Sequence, residues 1–204
     1  MEQRSNEWYQ ARMGKVTASN IRAALSKPTT ERYKDYQAEI ICGRLVGEKR
    51  RDFTSVDIEH GKEFEDEARA MYEFDFGLVT EVGFIEHPTI PFSGASPDGL
   101  VGENGLIEIK CPKTSTHINT ICHQKIDPDY LAQMQWQMAV TGRKWCDFVS
   151  YDPDFIPRPL HVIRIMRDDA HIADMEQAVR DFLADVERKI NLINGSANGT
   201  YSNQ

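Results

Sequence analysis

The run SPDGLVGENGLIEIKCP, Ser96–Pro112, constrains the fold of this chain more than any other stretch. Leu106–Lys110 alternates in character with a period of two, the mark of a strand, and the GENG before it is a turn sequence. Ser93–Val101 and Leu106–Lys110 therefore read as a hairpin. In it Ile107 and Ile109 point into a core, while Leu106, Glu108 and Lys110 share the opposite face. Folding at GENG returns Glu108 to the neighbourhood of Asp98. Two adjacent carboxylates repel and cost stability unless a cation lies between them. Hard oxygen ligands select Mg2+ or Mn2+ over zinc, so a divalent-ion site is the economical reading. The alternative is an ordinary exposed hairpin with a Glu108–Lys110 pair.

Around this hairpin the pattern runs from helices through strands to a closing helix. Helices are predicted near Asn6–Arg12, capped by Ser5 or Asn6 and stopped by Gly14, in TASNIRAAL with Thr17 or Ser19 as the cap, and over Tyr33–Val46. SVDIEHGKEFEDEARAMYEF reads as a long acidic helix, weakened at Gly61. Further strands are expected at Leu78–Glu86, CDFVSY and LHVIRIM, the last two joined by the proline-rich loop Asp152–Pro159. YLAQMQWQMAVTG is a helix stopped by Gly142. Ile172, Met175, Val179, Phe182, Val186 and Ile190 recur at helical spacing and serve core packing. A chain of 204 residues with 40% hydrophobic content suits one domain, expected over residues 1–193, with 194–204 as a frayed tail.

A third acid joins the first two. On the acidic helix, Ile58, Gly61, Ala68 and Tyr72 share the face of Glu65, so this carboxylate is expected to point inward, whereas Glu63 and Glu67 are solvated. An inward Glu needs a partner, either the same metal site or a buried ion pair with an arginine. Cys42, Cys111, Cys122 and Cys146 have no CxxC spacing, which speaks against disulfides, zinc ribbons and cysteine-bound clusters. The net charge of −8 argues against coating nucleic acid through a diffuse basic surface. It is compatible with a local positive path drawn from Gly47–Arg51, Arg12, Lys15, Lys110, Lys113, Arg143 and Lys144. The N-terminus MEQRSNEWYQ lacks an apolar signal core, and no run approaches the ~18 apolar residues of a membrane span, so a cytoplasmic protein without a membrane role is expected.

The acidic helix, SPDG and EIK together resemble the PD-(D/E)xK nuclease motif. EWYQARMGKVTAS, GKEFEDEAR, SPDGL, GLIEIKCP, AQMQW and YDP also follow the order found in the phage lambda exonuclease and YqaJ-like viral recombinase family, from about Trp8 to the C-terminal helix. The resemblance implies a restriction-endonuclease-like α/β core, a mixed central sheet flanked by helices. It implies that Asp98, Glu108 and the backbone carbonyl of Ile109 bind the catalytic Mg2+, that Glu65 supports a second ion, with Mn2+ as a substitute, and that Lys110 orients or deprotonates the attacking water. As a base Lys110 must be partly neutral; its other role is charge partner to the carboxylates. The resemblance also gives Arg12, Ser19, Ser96 and Gln133 to the 5′-phosphate of the strand being cut. Read without it, Ser19 is a helix cap and Gln133 a polar helix position. Ile58 is either a wedge that unpairs the terminal base pair or a core residue.

The implied activity is a Mg2+-dependent 5′→3′ exonuclease on linear double-stranded DNA that releases 5′-mononucleotides and leaves a 3′ overhang. The implied assembly is a homotrimeric ring around DNA, working with a single-strand annealing protein in phage or prophage recombination. An endonuclease of the same fold and an inactive DNA-end-binding subunit are the alternatives. An iron–sulfur nuclease would need clustered cysteines after Cys146, and the sequence has none.

Overall fold

The strand that carries Glu108 lies at the centre of the structure, and the other elements are placed by what covers its two faces. The computed structural model describes residues 2–47 and 56–197; the side chains of 56–63, 196 and 197 lie outside the described residues. With them lie the expected wedge Ile58 and most of the basic stretch Gly47–Arg51.

Helix α1 (Asn6–Arg12) starts where the Ser5 hydroxyl accepts from the Trp8 amide at 3.2 Å, and Gly14 follows it at φ +66°. The helix expected from TASNIRAAL is broken. Val16–Thr17 forms strand β1, Ala18–Asn20 a 3-10 turn, and only Ile21–Ala24 is helical (α2). Thr17 stands at the N-cap position of that turn, but its side chain makes no capping hydrogen bond; the residue is drawn into a sheet, its amide donating to the Tyr36 hydroxyl at 3.0 Å. Ser19 sits inside the 3-10 turn instead of capping it. Helix α3 (Glu31–Leu45) is capped by Thr30, and α4 (Val56–Phe76) is the acidic helix.

Two expected strands are each split. Leu78–Glu86 becomes β2 (Val79–Thr80) and β3 (Ile85–Glu86), and Ser93–Val101 becomes β4 (Ser93–Ala95) and β5 (Gly99–Val101). Pro97 has no N–H to give a ladder, so the chain leaves one sheet there and joins another. A three-stranded sheet has the order β1-β4-β3; the five-stranded one runs β2-β5-β6-β7-β8, with β6 (Gly105–Lys110), β7 (Trp145–Tyr151) and β8 (Leu160–Met166). Since β3 pairs with β4 and β2 with β5, the break at Pro97 forces the earlier break too. The larger sheet is mixed, as expected: β6 and β7 are parallel, and the other pairings are antiparallel.

Helix α5 (Thr114–His123) was not expected, because TSTHINTICH is poor in strong helix formers. It is fastened by the fully buried His117, whose ring nitrogens bond Ser150 Oγ at 2.7 Å and the Arg158 carbonyl at 2.8 Å. Helix α6 (Pro128–Thr141) begins at the Asp127 cap and ends at Gly142, φ +72°. Helix α7 (Asp169–Ala197) buries every member of the expected stripe from Ile172 to Ile190 and continues into the stretch read as tail. Among the described residues no helix is long and apolar enough to cross a membrane.

Both faces of β6 are covered. Ile107 and Ile109 pack with Ala68, Tyr72, Val149 and Tyr151 under α4, as their alternation requires. Leu106, on the other face, joins Met134, Phe148 and Phe182 in the larger cluster, so the exposed-hairpin alternative does not hold. At the start of β6, Gly105 lies against the Trp145 ring; a Cβ there would come within 2.1 Å of it. The Arg164 guanidinium stacks on that ring, 3.7 Å from its centroid, so a displaced ring would also disturb this contact. Gly105→Ala is expected to lower the unfolding free energy by about 1–3 kcal/mol, read as an earlier midpoint in urea denaturation.

Candidate active site

The turn after β5 brings the two hairpin acids face to face. Gly99 pairs with Ile107, and continuing that register sets Asp98 opposite Glu108. Asp98 Oδ2 accepts from the Ile109 amide at 2.7 Å. The N–H and C=O of one strand residue point to the same edge, so the Ile109 carbonyl also faces the space beyond the end of β5.

Glu108 is 1% exposed and fully engaged. Its Oε1 accepts from Lys110 Nζ at 2.5 Å and from Gln133 Nε2 at 2.7 Å, while Oε2 accepts from Gln137 Nε2 at 2.6 Å. Gln133 and Gln137 are one turn apart on α6, on the face turned to β6. Sequence reasoning singled out the first, for the phosphate site, and missed the second; the signal was an amide one helical turn further along the same face. Lys110 also lies over the Tyr130 ring, 5.0 Å from its centroid.

Glu65 has the arginine partners that one reading of the sequence foresaw. Arg4 Nη2 donates to Oε2 at 2.5 Å and Arg69 Nη2 to Oε1 at 3.5 Å, with Glu65 18% exposed. Arg4 lies before α1 with φ +66°, and its neighbour Gln3 donates to the carbonyls of Val82 and Pro97 at 2.8 Å each. No periodicity marks such a coil segment, so its arrival at Glu65 was not legible. Helix α4 is held in place two turns further on, where the Tyr72 hydroxyl donates at 2.7 Å to buried Asp147, itself paired in fork geometry with Arg164. Glu67 is exposed, as expected.

A second group forms on the other side of Asp98. Arg12 Nη1 donates to Ser96 Oγ and Nη2 to Ser19 Oγ, both at 3.2 Å, and Thr17 Oγ1 lies 3.3 Å from Ser19 Oγ. Arg12, Ser19 and Ser96 are thus together, although 84 positions separate Arg12 from Ser96. Gln133, expected with them, donates to Glu108 instead. Trp8 is an addition: its indole N–H donates to Ser96 Oγ at 2.9 Å.

The electrostatics set the two facing carboxylates in conflict. Burial pushes the Asp98 carboxyl well above the usual carboxylate range, the Glu108 charge adds to this and Glu65 contributes, while Lys110 and the Ile109 amide oppose it. Burial alone would lower the Lys110 value, but the charges of Glu108 and Asp98 outweigh it and hold the ammonium. The partly neutral amine that a base requires is therefore not what this arrangement favours. Burial, then Glu65 and Asp98, push the Cys111 thiol up to about 12, so it offers no thiolate. Among the described residues no three His, Cys, Asp or Glu side chains form a ready-made metal cluster. What the site offers is two facing carboxylates and a backbone carbonyl, a hard-oxygen set that fits Mg2+ or Mn2+.

The raised Asp98 value has a stability sign. Between an unfolded carboxylate value of about 3.9 and the higher folded one, the native state holds the extra proton, so stability falls as pH rises through that window. Asp98→Asn keeps the acceptor for Ile109 and removes the charge. In EDTA at mildly alkaline pH this variant is expected to melt a few degrees above the parent protein, and added Mg2+ should close the gap by raising only the parent. Equal melting temperatures in EDTA would show that Asp98 carries no such strain.

Residues 7–144 match the family model described as the YqaJ-like viral recombinase domain. Among solved structures, the alkaline exonuclease LHK-Exo from Laribacter hongkongensis is similar at a TM-score of 0.88 and 48% identity, over 95% of this chain and 98% of that one. Its complex with dAMP gives 0.89 at the same identity. A phage-related exonuclease from Haemophilus somnus shares the fold, with a TM-score of 0.70 at 19% identity over 88% of this chain and 96% of that one. An uncharacterized protein of Acanthamoeba polyphaga mimivirus is 29% identical over 168 residues, 73% of this chain; the chain spans only 29% of that relative's length. The fold is the restriction-endonuclease-like one of the alkaline exonuclease. From α1 through α6 the sequence follows one family model, and the chain belongs to the YqaJ-like viral recombinase domain family.

Proposed function

We propose that the chain is a Mg2+-dependent 5′→3′ exonuclease that degrades one strand of linear double-stranded DNA, releases 5′-mononucleotides and leaves a 3′ overhang. The observation that carries this reading is the short link Ser96–Pro97–Asp98. It ties a hydroxyl of the Arg12 group to the acid opposite Glu108, so a terminal phosphate held at one end lies at a fixed distance from a phosphodiester at the other. That coupling suits an enzyme that measures from a strand end. The likeness to an alkaline exonuclease, and that enzyme's complex with a nucleoside monophosphate, support the same reading.

Asp98, Glu108 and the Ile109 carbonyl would hold the first ion, and Glu65 a second. When bound, the ions supply positive charge for the crowded phosphoryl oxygens and an acidified water. Gln133 and Gln137 keep the Glu108 carboxylate oriented. Lys110, on the same strand face as Glu108, orients the attacking water and faces the charge that builds on the phosphoryl group. The water oxygen bonds to phosphorus, the bond from phosphorus to O3′ of the departing nucleotide breaks, and O3′ takes up a proton. The remaining strand then begins with a 5′-phosphate, the group Arg12, Ser19 and Ser96 are proposed to bind. Each product end is the next substrate.

A homotrimeric ring reconciles this activity with a net charge of −8, since only its channel need be positive. Exposed Phe74, Leu78 and Ile156, at 91%, 82% and 84%, offer apolar surface for subunit contacts. A single-strand annealing protein would take up the overhang, in the cytoplasm of a bacterium that carries the phage or prophage.

Digestion of linear duplex bearing a 5′-phosphate or a 5′-hydroxyl, with and without Mg2+, tests the reading. Mononucleotides are expected from the phosphorylated end only with the ion, more slowly from the hydroxyl end, and not at all from a covalently closed circle. Cutting of the circle would mean an endonuclease. Lys110→Ala should lose about 100-fold or more in rate; parent and variant degrading duplex equally would end the enzyme reading. Light scattering should give a trimer mass, and a clean monomer removes the ring.

A further inference from the structure

Trp8 is the second residue of the motif EWYQARMGKVTAS, yet the reaction above gives it no role. Its indole Nε1 donates to Ser96 Oγ at 2.9 Å, and its ring face carries the Arg12 guanidinium, with Cζ 4.0 Å from the ring centroid. Arg12 Nη1 donates to the same Ser96 oxygen at 3.2 Å. Trp8 and Arg12 are four residues apart on α1, so they lie on one face, and the Ser5 cap fixes the turn that carries Trp8.

A serine hydroxyl has two acceptor positions and one proton. Indole and guanidinium fill both acceptor positions of Ser96, which leaves its proton as the group still on offer. An indole N–H only donates, so Trp8 can never draw that proton back to itself. We infer that Trp8 is a positioning residue of the terminal-phosphate group: it makes Ser96 an obligate donor and steadies Arg12, so that both address a phosphoryl oxygen, which only accepts. This rests on the reading of Arg12, Ser19 and Ser96 as the 5′-phosphate site. The choice between a phosphorylated and a hydroxylated end then depends on an N–H placed behind the serine, on the far side from the DNA end.

Steady-state digestion of duplex with a 5′-phosphate or a 5′-hydroxyl, by the parent protein, Trp8→Phe and Ser96→Ala, tests this. Trp8→Phe keeps an aromatic face for Arg12 and removes the donor. The expected result is about a tenfold fall in preference for the phosphorylated end, carried by KM more than by kcat. Ser96→Ala should lower the same preference. If Ser96→Ala lowers it and a folded Trp8→Phe does not, the inference fails while the phosphate site stands; if neither lowers it, both fail. A loss in Trp8→Phe that falls equally on the two ends, or on kcat alone, marks a merely structural role and overturns the inference. Trp8→His returns a ring N–H and should regain part of the preference; no gain over Trp8→Phe rules out the N–H as the cause.

Discussion

A buried carboxylate on a central strand is the constraint that the structure answers. Glu108 is all but inaccessible, on a strand covered on both faces, and a charge in such a place is tolerated only when its oxygens are satisfied. Three donors do this, and each demands something of the fold. Lys110 must share the acid's face of β6, which the strand period provides. Gln133 and Gln137 must lie one turn apart on a helix across that face, which requires α6 to pack its otherwise apolar surface against the sheet. The remaining electrostatic demand comes from Asp98, which the hairpin sets opposite Glu108 and which burial pushes toward its neutral form. The divalent ion proposed for this site would relieve that conflict, and it would supply the charge that phosphodiester hydrolysis needs.

The second organising element is the link between the two sheets. By leaving the smaller sheet at Ala95 and entering the larger at Gly99, the chain carries Ser96 and Asp98 past different neighbours within three residues. Ser96 meets Trp8 and Arg12 of α1; Asp98 meets β6. A continuous strand, which the local pattern favoured, would have kept both in one ladder. On the opposite face of the sheet, the buried Tyr72 and Asp147 and the half-exposed Arg164 form a hydrogen-bonded network that fixes α4. Glu65, two turns earlier on that helix, is thereby held within reach of Asp98's field and of the N-terminal segment that brings Arg4.

Much of this was legible because side-chain period and turn chemistry are local. The alternation over Leu106–Lys110, the GENG turn, the apolar stripe of α7 and the inward face of Glu65 are consequences of short-range geometry. Where sequence reading fell short, a distant partner had overridden a local preference. Thr17 is a good helix cap but is taken by a sheet and by the Tyr36 hydroxyl; TSTHINTICH is a poor helix former but is fastened through His117. Gln137 looked like one polar residue among several, and nothing in a coil segment announced that Arg4 would reach Glu65.

The sequence alone determined which of the candidate side chains share a face, since residue type and spacing fix that before any tertiary contact forms. It also carried the resemblance that pointed to a nuclease. Only the tertiary structure decided what stands opposite each face: that Glu108 is buried and held by two glutamines, one of them Gln133, that Arg12 finds Ser96 across 84 positions of chain, and that an indole stands behind that serine. The reason is physical. A period of 2 or 3.6 residues assigns a side chain to a face, but the partner on that face comes from remote chain, and it is chosen by the packing of the whole core.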